Sequence, residues 1–205
     1  MDNTLYFILA GVFLGLSAGF SPGPLLTLIL TQTLKHSRTE GIKVAISPLI
    51  TDFPIILIAV FIFNRLSEFD LILAAISFAG GVYIAFLGIE SIRIKAFSFD
   101  LHDSKTASMK KGIITNFLNP APYLFWATVG APLIFKAFHV NLLSAILFMF
   151  SFYVLLIGSK VMIAIVVART KVFMNQKIYV LIMRALGIVL LIFSFIFFYD
   201  GMKYL

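Results

Sequence analysis

Ser21-Pro22-Gly23-Pro24 and Asn119-Pro120-Ala121-Pro122 cut into two long apolar segments, at matching places in the two halves of the chain. Each proline removes a backbone donor and clashes with the turn before it. Two prolines around one small residue therefore break a helix rather than bend it. Proline is favoured at the first position of a helix. Ser21 and Asn119 are good N-cap residues just ahead of it. New half-helices are expected to start at Pro22 and Pro120, with free N–H groups and a positive dipole end.

The surrounding composition says where such breaks lie. Of 205 residues, 61% are hydrophobic and 12% charged, and the mean hydropathy is +1.06. A soluble domain so apolar could not cover its own surface, so the class is an all-α polytopic membrane protein. The net charge of +7 does not point to nucleic acid, because the cations cluster between apolar segments. The chain has no cysteine, which excludes disulfides and thiolate chemistry. The start, Met1-Asp2-Asn3-Thr4, lacks a positive n-region, so the first apolar stretch is expected to be retained.

Six helical spans are read at roughly 4–34, 42–63, 69–92, 109–136, 141–168 and 178–200. The first and fourth carry the breaks. The chain reads as one transmembrane domain over 1–205. Its halves are roughly 1–95 and 109–205, joined by the polar linker 96–108 with Asp100, His102, Asp103 and Lys105. Three spans per half send the second half in from the opposite side, so the halves are expected to form an inverted repeat. Paired helix breaks in corresponding positions of such halves point to a binding site between them.

Orientation follows from Lys and Arg. Lys35, Arg38, Lys43, Arg93, Lys95, Lys105, Lys110, Lys111, Arg169, Lys171 and Lys177 fall on one side, against Arg65, Lys136 and Lys203 on the other. The richer side, with loops 35–43, 93–108 and 169–177, is expected in the cytoplasm and both termini outside.

At ~1.5 Å per helical residue, Pro24 and Asn119 lie ~15 Å and ~14 Å from the cytoplasmic ends of their spans. Asp52 and Lys160 lie ~12 Å deep in the second and fifth. Two breaks and two opposite charges thus share one layer of a hydrocarbon core ~30 Å thick. A charge there is a functional hypothesis by default. Asp52 reads as a counter-ion for a substrate ammonium, as a proton-exchanging carboxylate, or as half of a structural salt bridge with Lys160. Lys160 reads as a substrate anchor, as a proton-coupling group that tunes Asp52, or as a side chain snorkelling to the cytoplasm. Pro48 and Pro54 flank Asp52 and loosen its helix. Tyr123 and Trp126 read as cavity lining or as packing aromatics. Arg184 reads as a headgroup contact and Glu90 as an ion pair with Arg93.

The glycines Gly11, Gly15 and Gly19, and again Gly80, Gly81 and Gly88 with Ala85, allow close helix approach. They read either as packing within the chain or as a homodimer interface. His36, His102 and His139 lack partners at metal-ligand spacing and read as solvated loop residues. No nucleophile–base pair, phosphate-binding loop or dinucleotide fingerprint is present, so neither an enzyme nor a cofactor is expected.

Gly11-x3-Gly15-x3-Gly19-Phe20-Ser21-Pro22-Gly23-Pro24, with Gly41 opening the second span, resembles the LysE/RhtB superfamily of amino-acid exporters. So do Gly80-Gly81-x-Tyr83-x4-Gly88, Asn116-x2-Asn119-Pro120, and the last span with Gly187 and Gly201. The resemblance covers nearly the whole chain. It implies gradient-driven export of amino acids or related metabolites across the cell membrane, with Pro22, Gly23, Pro24, Asn119 and Pro120 as the site frame. Asp52 resembles an acidic position of some branches, where others carry small residues. Lys160 matches no family-wide motif and rests on depth and charge. Two other readings stay open: a cation or metal exporter of the same architecture, with Asp52 and Thr51 as oxygen ligands, and a membrane subunit that does not transport.

Overall fold

The computed structural model describes residues 3–21, 23–66, 70–93, 107–170, 176–203 and 205. Pro22 and most of the expected linker, with Lys95, His102 and Lys105, lie outside the described residues, as does Lys171. The side chains of Arg65, Glu90, Pro120 and Lys177 do too.

Among the described residues the fold is helical throughout. The elements are α1 Asn3–Phe20, α2 Pro24–Lys35, α3 Arg38–Ala45, α4 Pro48–Leu66, α5 Asp70–Arg93, α6 Ser108–Leu118 and α7 Pro120–Phe125. A π-helical turn Trp126–Gly130 leads into α8 Ala131–Val140, followed by α9 Leu142–Thr170 and α10 Gln176–Met202. Among the described residues three helices are long and apolar enough to cross a membrane: Arg38–Ile62, Ala121–Val140 and Leu142–Arg169. The pair Thr4–Phe20 and Pro24–Lys35 makes a fourth when its two arms, bent by 59°, count as one broken span. α5 and α10 contribute the shorter apolar stretches Ser77–Phe86 and Gly187–Tyr199.

The outer surface is apolar, with Phe53, Phe86, Phe150 and Phe195 all exposed. A folded chain leaves such side chains outside when lipid rather than water surrounds it. Inside, α1 lies along α9 and α5 along α10. The glycine stripes make both approaches: a methyl at Gly15 would collide with the Phe152 carbonyl, and one at Gly88 would sit 2.9 Å from the Gly187 carbonyl oxygen. Both stripes are therefore covered by helices of the same chain. A homodimer built on them would have to displace those contacts.

Both proline motifs break their helices. At the second, α7 starts at Pro120 with Asn119 as its N-cap, as the sequence suggests. At the first, the expected start at Pro22 with Ser21 as cap is corrected. The Ser21 N–H bonds the Ser17 carbonyl at 2.8 Å, so Ser21 still belongs to the end of α1. The chain then extends through Gly23 (φ 170°, ψ 179°), and α2 starts at Pro24 with no side-chain cap. A further interruption at Ile46–Ser47 separates α3 from α4, just before Pro48.

Candidate functional site

The first break leaves carbonyls without partners. In a continuous helix the Ala18 carbonyl would accept from the N–H of residue 22 and the Gly19 carbonyl from that of residue 23. Residue 22 is a proline without an N–H, and beyond Phe20 the chain turns away. Lys160 of α9 fills the gap: its ammonium donates to the Ala18 carbonyl at 3.1 Å and to the Gly19 carbonyl at 3.2 Å. A cation at the C-terminal end of α1 also suits the helix dipole. Lys160 is only 4% exposed. It points inward and does not snorkel.

The second break is closed from nearby. Pro120 cannot donate to the Asn116 carbonyl, which accepts from the Asn119 N–H at 3.2 Å instead. The Ala121 N–H turns to the Asn119 side-chain oxygen at 3.1 Å. That draws it from its helical partner, the Phe117 carbonyl, which accepts from the Tyr123 hydroxyl at 3.0 Å. Tyr123 itself is largely exposed, on the flank of the break.

Asp52 sits beside this second break, 4% exposed. The Asn116 amide donates to its Oδ1 at 2.9 Å and to the Thr51 hydroxyl at 2.6 Å. The Thr51 hydroxyl lies 3.4 Å from the same Oδ1. The Tyr153 hydroxyl donates to Oδ2 at 3.3 Å, and the Trp126 indole N–H also bonds the carboxylate. Local sequence explains the placement. Pro54 lacks the N–H that would bond the Ile50 carbonyl, and α4 begins only at Pro48, so Asp52 lies in a weakened first turn and a half.

Trp126 is buried and opens the π turn. Its ring meets Phe152 edge-on at 5.3 Å and stacks on Tyr153 at 6.2 Å. A π turn in a helix often marks a functional position, and here it aims the indole at Asp52. Tyr153 and Lys160 are seven residues apart on α9 and so share one helix face.

Asp52 and Lys160 interact electrostatically but form no ion pair within 4.0 Å. Among the described residues the one such pair is Lys43 with Glu40 at the surface of α3. The salt-bridge reading of Asp52 with Lys160 is thus corrected: Lys160 directs two of its three donors to α1, and Asp52 is held by amide, indole and hydroxyl donors. Of the sequence-predicted residues, Ser21, Gly23, Pro24 and Lys160 gather at the first break. Asp52, Asn119 and Pro120 gather at the second.

Thr51, read as an oxygen ligand, and Trp126, read as cavity lining or packing, both turn to Asp52. Asn116 and Tyr153 complete the site without being binding candidates from sequence. Their signals were a second asparagine one turn before Asn119 and a tyrosine two turns before Lys160. Arg184 is exposed on α10. His139 is exposed and touches the Phe135 ring at 4.5 Å. His36, expected to be solvated, instead has a buried Nε2 without a hydrogen-bond partner.

No curated protein and no solved structure matches the chain. The family model for the LysE type translocator matches residues 16–201, a stretch that takes in both breaks, Asp52 and Lys160. The chain therefore belongs to the LysE type translocator family, within the LysE/RhtB superfamily, whose members export small molecules across membranes.

Proposed function

We propose that the chain is a secondary exporter of amino acids or similar zwitterionic metabolites, driven by a proton or ion gradient. It works by alternating access around the layer that holds Asp52 and Lys160. Its six spans are α1–α2, α3–α4, α5, α6–α8, α9 and α10, in two inverted halves. It is not an enzyme. It sits in the cell membrane with both termini outside and the basic loops in the cytoplasm.

The repeat is supported by how the helices meet. Exchange the first three spans with the last three, and the main contacts map onto themselves. Taken as whole spans, α1–α2 with α9 answers to α6–α8 with α3–α4, and α1–α2 with α3–α4 answers to α6–α8 with α9. Likewise α1 with α10 answers to the π turn with α5, while α5 with α10 maps onto itself.

The observation that carries the reading is that two buried, opposite charges attend two helix breaks without pairing with each other. A buried charge is expensive, and an unpaired one in a membrane marks a ligand or ion pathway. Asp52 receives the substrate ammonium or the driving proton. The substrate carboxylate lies against the start of α2, which no side chain caps. Two of the three Lys160 donors are engaged with α1 carbonyls, which leaves the third for that carboxylate.

A metal exporter fits less well. The Asp52 oxygens already accept from amide, indole and hydroxyl donors, a setting that suits an anion. A hard cation wants several oxygens in its place.

The test is efflux of a labelled amino-acid panel from reconstituted vesicles under an imposed gradient. The parent is expected to show gradient-driven efflux, and Asp52→Asn to lose the coupling. Unchanged, still coupled efflux in Asp52→Asn would remove Asp52 from the mechanism. Failure of the parent to move any member of the panel would reject the substrate class.

A further inference from the structure

We infer that the buried face of α6 is the cytoplasmic path to Asp52, and that Ser108 with Gln32 is the latch that closes it in this structure. The inference rests on the exporter reading and names the route by which its site is reached.

The buried residues of α6 are Ser108, Gly112 and Asn116, spaced by four and so stacked on one helix face. Each meets a polar group of the first half. Ser108 donates to the Gln32 side-chain oxygen of α2 at 2.8 Å. The Glu40 carboxylate of α3 is a second acceptor within reach of that one proton. A methyl at Gly112 would sit 2.8 Å from the Ser47 hydroxyl and 3.2 Å from the Val44 Cα. Asn116 reaches Thr51 and Asp52. The result is a row of buried polar groups facing α6 at three successive turns, from the α3 end to the deep carboxylate. Gln32, Ser47, Ser108, Thr51, Asn116 and Asp52 are all at most 4% exposed.

On the other side of Asp52 the chemistry changes. Beyond Trp126 and Tyr153 come Phe152, Phe148 and Phe7, with Ala10, Leu133 and Ala137, in one apolar cluster. Polar groups buried within a membrane are rare and line ion or substrate routes. A seam of hydroxyls and amides exchanges its mutual hydrogen bonds for bonds to water when it parts, whereas an apolar seal has no such exchange. The α6 seam also runs where α2, α3 and α4 of one half meet α6 of the other, the contact that rocking of the halves would open.

The absence of cysteine makes a direct test available. Ser47→Cys places a thiol inside the seam, and a charged, membrane-impermeant methanethiosulfonate reads whether water reaches it. With the latch intact, slow labelling is expected, and only from the cytoplasmic face. Adding Ser108→Ala is expected to speed it about tenfold, and modification to block efflux. Thr4→Val, which removes the 2.9 Å bond between the Thr4 and Ser144 hydroxyls near the starts of α1 and α9, is expected to leave the rate unchanged. If Ser47→Cys fails to fold, Val44→Cys, which lies against Gly112 in the same seam, serves as the reporter and Gln32→Leu as the releasing change.

Labelling that is unaffected by latch removal, or equally fast from outside, overturns the inference. A parent that exports amino acids while the labelling pattern fails rejects the seam alone. The expected labelling in a protein that moves no amino acid rejects the exporter reading and leaves the seam.

Discussion

The two proline breaks begin from the same sequence device and are completed in opposite ways. At Asn119-Pro120 the chain repairs itself: Asn119 and Tyr123, both within four residues of Pro120, satisfy the displaced groups. At Ala18–Pro24 the repair comes from Lys160, more than 140 positions along the chain. A locally closed break keeps its geometry whatever neighbouring helices do. One closed by a long side chain on another helix depends on that helix staying in place. The second break is therefore a fixed platform for Asp52, and the first is the joint that can change when α9 shifts.

The largest effect that can break this contrast is at Lys160. Lys160→Met leaves two buried carbonyls without donors, at about 1–3 kcal/mol each, partly offset because an ammonium is no longer buried. Efflux is expected to collapse and the thermal midpoint in detergent to fall, with Lys160→Arg recovering much of both. A Lys160→Met protein with parental melting and efflux would mean that the first break holds without its remote partner.

Asn116→Ala comes next. It removes the amide donor from a buried carboxylate, and hydrogen bonds to charged groups contribute about 1.5–3 kcal/mol. Efflux is expected to fall by at least about tenfold, a factor that corresponds to roughly 1.4 kcal/mol. The bends at both breaks should persist, because the Asn116 side chain closes neither. Spin-label distances across α6 and α8 that match the parent would fit this; altered distances would show that Asn116 also shapes the second break.

The breaks, the buried charges and most helix ends could be read from residues because each has a local cause. Proline lacks a donor, a charge avoids lipid, and an apolar run ends at polar residues. Asn119 as N-cap was legible for the same reason. What escaped was set by helices far apart in sequence. Ser21 looked like a cap, but its N–H still finds Ser17, and only the extended Gly23 moves the start of α2 to Pro24. Lys160 looked like a partner for Asp52, yet the carbonyls of α1 lie closer. Which of two partners a long side chain meets depends on helix rotation, which no residue encodes alone. Trp126 shows the same limit: its π turn adds one residue to the helical count and turns the indole to Asp52, a rotation that regular 3.6-residue spacing does not anticipate.

The smaller predictions sharpen the local half of the comparison. Asn119→Ala removes an N-cap and is expected to cost about 1 kcal/mol, seen as a lower thermal midpoint with efflux kept within a few-fold. Asn119→Asp, which still caps, should restore the midpoint. Tyr123→Phe is smaller still. Its hydroxyl bond to the Phe117 carbonyl is at an exposed flank, so only the net value of one hydrogen bond is lost, about 0.5–1 kcal/mol. If the second break is self-sufficient, Asn119→Ala and Tyr123→Phe together should cost less than the sum of the single effects, because the Ala121 N–H and the Phe117 carbonyl that they satisfy are each other's helical partners and re-pair when both are freed. Simple additivity in a double-mutant cycle would instead mean that the two repairs are independent, and that more of the second break is held by neighbouring helices.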